Sequence, residues 1–141
     1  MGKARLFILT VLVAAAAVAG IDWMLANGRL KDISIETSLE PAAVVADGES
    51  STTLELRVTE HGEPRANALL QLWINTGSGL LVPEWVLTDA DGVAHSVYTP
   101  NVANPYDPQD EALVYVMDTT VGRIIEVDKR VLVHIPLMMP E

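Results

Sequence analysis

Apolar residues run almost unbroken along the first part of the chain and alternate with polar ones afterwards. From Leu6 to Ala26 the only ionisable residue is Asp22, and Lys3 and Arg5 stand just before that run. Coiled as a helix at 1.5 Å per residue, such a run is about 30 Å long, the thickness of a bilayer's hydrocarbon core. The pattern predicts one transmembrane α-helix within residues 1–30, ended by Asn27-Gly28. Asp22 and Trp23 fall at its membrane interface, where a carboxylate is tolerated and an indole favoured. Ala15 with Ala19, and Ala16 with Gly20, are small residues at helical spacing, a face that lets a second helix approach closely.

Two fates of this segment are open. Ala17-Val18-Ala19 before Gly20 fits a signal-peptide cleavage site. The apolar run continues past that site through Ile21, Trp23, Met24 and Leu25, which favours an uncleaved signal-anchor. Basic residues flank both ends, with Lys3 and Arg5 on one side and Arg29 and Lys31 on the other. The short basic head before a long apolar run places the N-terminus in the cytoplasm.

Beyond the helix the period falls to two. Ile33 and Ile35 face one way with Ser34 and Glu36 between them, until Pro41 intervenes. Val44-Val45-Ala46 is a short apolar step. Leu54, Leu56 and Val58 point inward from a strand over 52–59. Leu70, Leu72 and Ile74 do so from 68–74, which turns Trp73 outward. Shorter runs at 85–88 and 93–98 follow, with Trp85 assigned to the core. A long loop over 100–110 leads to a closing hairpin of 112–117 and 124–135, turning near Val121-Gly122-Arg123. The Pro136-Leu137-Met138-Met139-Pro140 tail is too proline-rich to extend that last strand far. It is left apolar, to dock on a partner or dip to the membrane.

Gly, Pro and Asp separate these strands, and no helical run lies among them, so residues 31–141 are expected to be all-β, a two-sheet sandwich. Gly48, Gly62 and Gly92 are placed to supply the positive φ angles of tight turns. The turn sequences have a familiar order. Ala46-Asp47-Gly48, Ser51-Thr52-Thr53-Leu54, Gly62 with Pro64, and Thr88-Asp89-Ala90-Asp91-Gly92-Val93-Ala94 resemble the bacterial immunoglobulin-like domains of the invasin and intimin type. The resemblance covers roughly Ile33 to Ile135. It implies an immunoglobulin-like β-sandwich exposed outside the cytoplasm, structural or adhesive, whose shared residues are turn formers and core positions rather than catalytic groups. The chain holds one copy and no internal repeat, unlike the tandem arrays of that family.

Composition narrows the function. With 9 Lys and Arg against 19 Asp and Glu, the net charge is −10, which argues against a nucleic-acid partner, because there is no excess of Lys and Arg to neutralise phosphates. The 141 residues contain no cysteine, which excludes disulfides, thiol catalysis and thiolate metal sites. Asp89 and Asp91 are the candidates for a hard cation, but the other ligands of a calcium loop are missing and a plain Asp-Gly turn accounts for them. His61, His95 and His134 lie on separate segments. No nucleophile elbow or phosphate-binding glycine loop occurs. No catalytic residue, cofactor or small-molecule substrate is expected.

The expectation is therefore a non-catalytic, single-pass protein of the bacterial inner membrane, its β-domain periplasmic or extracellular, that packs on and stabilises a larger membrane complex. The partners are other membrane-protein subunits, met through the helix and through Trp73, Tyr106, Leu137, Met138 and Met139. Two alternatives are a cleaved, secreted or surface-exposed adhesion module and a pilin-like filament subunit. Against the latter, no glutamate follows the start of the apolar run.

Overall fold

The computed structural model describes residues 2–125 and 127–141. Met1 and Glu126, which belong to the expected N-terminal unit and the expected last strand, lie outside the described residues. Among the described residues one helix, α1 (Gly2–Leu30), precedes ten strands. It is long and apolar enough to cross a membrane, and none of its most apolar stretch is covered by the rest of the chain.

The strands are β1 (Ile33–Glu40), β2 (Val44–Val45), β3 (Thr52–Glu60), β4 (Glu63–Pro64), β5 (Leu69–Thr76), β6 (Gly79–Val82), β7 (Trp85–Leu87), β8 (Val93–Pro100), β9 (Glu111–Asp118) and β10 (Lys129–Met138). One sheet has the order β1-β3-β8-β6, with β4 paired to β3, and the other β2-β10-β9-β5-β7. The chain changes sheet at Pro41, which has no N–H to continue the β1 ladder. It then lays β2 parallel to β10, pairing Leu137 with Val44.

The alternation read from the sequence becomes the core between the sheets. Ile33, Leu54, Leu56, Val58 and Tyr98 from one sheet meet Val44, Leu70, Leu72, Val114, Val116 and Ile135 from the other, all buried. The buried Tyr98 hydroxyl donates to the Ser78 carbonyl at 2.9 Å, so its polar end is met inside.

Six expectations are corrected. The helix runs past Asn27-Gly28 to Leu30, because its last turn is docked on the sandwich. β6 was not anticipated. Its Leu80 and Val82 are exposed, so the run does not read as a half-buried strand. Trp85 is half exposed rather than in the core, since β7 is an edge strand whose inward residue is Val86. The last strand begins at Lys129, not Ile124, because residues 123–125 are drawn onto α1. It also continues through Pro136 to Met138. Pro136 pairs with Glu111 toward β9, and the next residue, Leu137, finds β2 and the core. Leu137 is therefore a core residue, not a free partner contact.

Candidate functional site

Turn motifs place the groups that join helix to sandwich. The Thr88 hydroxyl donates to the Arg65 carbonyl at 2.6 Å and accepts from the Ala68 N–H at 2.9 Å. Asp89 Oδ1 accepts the N–H groups of Asp91 and Val93, closing its own turn. Gly92, at φ +73°, lies so close to the Val58 carbonyl and the Arg65 N–H that no side chain fits. These contacts fix the backbone of Arg65 against the end of β3.

Arg65 then reaches across the lower end of the sandwich. Its Nε donates to Asp118 Oδ2 at 2.8 Å, Nη1 to Glu60 Oε2 at 2.9 Å and Nη2 to the Thr120 carbonyl at 2.9 Å. Asp118 is fully buried, and its other oxygen accepts from the Thr120 N–H and hydroxyl. A buried carboxylate is tolerated only with such a set of partners. Glu60 also receives Arg29 of α1, with Nε at 2.6 Å and Nη2 at 2.9 Å. This fork holds the Glu60 carboxyl below its ordinary range, with Arg65 adding to the effect.

The second attachment is Asp22. Its carboxylate accepts the backbone N–H groups of Arg123, Ile124 and Ile125, the last two at 2.8 and 2.9 Å. Arg29 Nη1 donates to the Val121 carbonyl, and Lys129 Nζ to the Leu30 carbonyl. Asp22, Ala26 and Arg29 lie on one helical face, and Ala26 is buried there. Gly122 permits the close fold, since a side chain on it would meet the Ile125 carbonyl. The carboxylate of Asp22, expected at a membrane interface, is thus occupied by the protein's own backbone. Trp23 beside it is half exposed.

The remaining nominated residues are scattered. Ala15, Ala16 and Gly20 are exposed on α1, and Ala19 is partly covered. Trp73 does point to the outer face of its sheet, where it meets Tyr115 at 5.2 Å between ring centres. The Arg130 guanidinium lies over both rings, 5.2 and 5.4 Å from their centres. Trp85, Leu87 and Leu132 extend this face and are exposed. Trp, Tyr and Arg are the residues that dominate interface energetics. Sequence reasoning missed Tyr115 and Arg130, although their shared face follows once the β9–β10 hairpin is registered, with Tyr115 opposite Leu132 and Arg130 two residues along the same strand.

Tyr106 is almost wholly exposed at the tip of the long loop. The Leu137 N–H donates to the Asp110 carbonyl, so tail and loop share one end of the sandwich. That end is opposite α1: Lys129 touches Leu30, and the ten residues of β10 carry Met138 about 30 Å away. The tail therefore lies at the end of the domain away from α1, where Met138 and Met139 are exposed. His61, His95 and His134 each lie beside a different carboxylate, those of Asp32, Glu55 and Glu111. Among the described residues no cluster of His, Asp and Glu is placed to hold a metal, at Asp89 and Asp91 or elsewhere.

No family model and no curated protein matches the chain. Solved structures do match. The C-terminal 282-residue fragment of intimin, in complex with the intimin-binding domain of the translocated intimin receptor, gives a TM-score of 0.56 at 20% identity, over 74% of this chain and 33% of that one. The D0-D1 domains of intimin give 0.54 at 15%, over 75% and 48%, and the D00-D0 domains 0.53 at 17%, over 71% and 45%. The chain thus spans half or less of each structure it resembles, and likeness at this level of identity is one of fold. The turn motifs, the two-sheet strand order and these neighbours agree that the β-domain is an immunoglobulin-like sandwich, similar in fold to the intimin domains and carried behind one long apolar helix.

Proposed function

We propose that this chain is a non-catalytic, single-pass membrane protein whose sandwich is held at the extracytoplasmic surface as an accessory subunit that packs on and stabilises a larger membrane complex. The observation that carries the reading is the attachment of α1: its last two turns are bound to the sandwich through Asp22 and Arg29, while its apolar flanks from Leu6 to Leu25 remain uncovered. So large an apolar surface requires lipid or another helix. The basic residues before the run orient the N-terminus to the cytoplasm of a bacterial inner membrane, with the sandwich periplasmic or extracellular. The partner surfaces are the Ala15, Ala16, Ala19 and Gly20 face and the Trp73, Tyr115, Arg130 and Trp85 face.

A second reading, a binding or adhesion module, is favoured by that same aromatic face and by the likeness to an intimin fragment captured with its receptor. Two measurements separate them. Extraction in mild detergent followed by mass spectrometry is expected to recover other membrane chains with this one, and recovery of a lone monomer overturns the accessory role. N-terminal sequencing that finds Gly20 as the first residue favours release over anchoring.

A further inference from the structure

We infer that residues 121–125, in the connection between β9 and β10, form a second membrane-contacting element, which seats Ile124 in the lipid interface beside α1. This inference rests on the anchor reading of α1 and adds a contact that the helix alone does not require.

The connection does not turn at the base of the sandwich. It climbs the helix: the Val121 carbonyl is held by Arg29, and the N–H groups of residues 123–125 are held by Asp22. Seven residues separate those two positions on α1, a rise of about 10 Å toward the helix N-terminus. The chain then returns to Lys129, whose ammonium meets the Leu30 carbonyl. A hydrocarbon core of about 30 Å needs about 20 helical residues. Counted from Leu6, that span ends at Leu25, so Asp22 and the loop tip lie at the membrane boundary rather than above it.

The chemistry at the tip suits that depth. Ile124 is 64% exposed although it is among the most apolar residues of the domain. The N–H groups of Arg123, Ile124 and Ile125 are all taken by the Asp22 carboxylate. Backbone donors met internally are what a segment leaving water requires. Exposed Arg123, next to Ile124, is placed for headgroup phosphates, and exposed Trp23 is the interfacial indole on the helix.

The chain has no cysteine, so single cysteines report depth directly. Ile124→Cys, Leu9→Cys and Tyr106→Cys are each labelled with an environment-sensitive fluorophore in the full chain. The proteins are placed in nanodiscs of phosphatidylethanolamine and phosphatidylglycerol, with and without lipids spin-labelled near the headgroup or deep in the acyl chain. The label at 124 is expected to shift to the blue and be quenched by the shallow spin label, that at 9, about 5 Å inside the other end of the span, by either spin label, and that at 106 by neither. Quenching at 9 with none at 124 overturns the loop contact and leaves the anchor standing. No quenching at 9 overturns the anchor itself. Adding Asp22→Ala to the Ile124→Cys chain is expected to lower quenching at 124 while leaving position 9 unchanged in its own chain, and undiminished quenching at 124 counts against Asp22 as the group that holds the loop there.

Discussion

Arg29 in the last turn of α1 and Glu60 at the end of β3 are joined by two parallel hydrogen bonds, 2.6 and 2.9 Å long, across 31 positions of sequence. The fork makes helix and sandwich a single body at their junction, because Glu60 is itself gripped by Arg65, and Arg65 by buried Asp118. Any lateral load on the helix is passed to the sandwich through charged groups rather than through a flexible linker.

A double-mutant cycle with Arg29→Ala and Glu60→Gln is expected to give a coupling energy of roughly 1–2 kcal/mol, typical of a partly buried charged pair. Thermal unfolding of the full chain in detergent measures it. Arg29→Ala is also expected to speed amide hydrogen exchange at Arg123, Ile124 and Ile125, since it loosens the helix face to which they are bound.

Removal of Arg65 leaves the Asp118 carboxylate buried without its cation. Arg65→Met is expected to cost about 3–5 kcal/mol, and Arg65→Met with Asp118→Leu less than Arg65→Met alone. Urea unfolding reads both. Equal losses in the two variants would show that packing, not the stranded charge, accounts for the cost.

Gly92 sits at φ +73° against the Val58 carbonyl. Gly92→Ala combines backbone strain with a backbone clash and is expected to destabilise by about 1–3 kcal/mol. Trp85→Ser, at a half-exposed edge position, is expected to stay within about 1 kcal/mol of the parent yet to reduce recovery of co-purifying chains. A large stability loss would show that Trp85 serves the fold instead of an interface.

Acid weakens the fold through two carboxylates. Asp47 is held down to about 2 by the Ser50 N–H, the Ser50 hydroxyl and the Glu49 N–H, and Glu60 is lowered chiefly by Arg29. A folded-state pKa below the unfolded value gives stability that is complete above about pH 4 and is lost as the pH falls through the folded value. The melting temperature is therefore expected to drop between about pH 4 and pH 2. Asp47→Asn should flatten part of that drop, and an unchanged slope would remove Asp47 from the account.

Much of the fold was legible because local rules act within a few residues. Period two in Leu54, Leu56 and Val58 could only be satisfied by a strand with one buried face, and all three are fully buried. Gly48, Gly62 and Gly92 do adopt positive φ. The junction was not legible, although one signal was present. Asp118 lies in the inward phase of Ala112, Val114 and Val116, and an ionisable side chain on the core phase demands a partner. Nothing local says that the partner is Arg65, or that Arg65 shares Glu60 with a helix residue.

The sequence by itself determined an apolar helix of membrane length, an all-β domain and the places where its chain turns, because period, glycine and proline act through the backbone of their own neighbourhood. Only the tertiary structure decided that helix and sandwich are fused, that the β9–β10 connection climbs α1, and that Leu137 of the apolar tail joins the core at the far end. The first two outcomes depend on charged groups meeting partners 31 to 103 positions away and the third on Leu137 pairing with Val44, and distance along the chain carries no record of which pairs will meet.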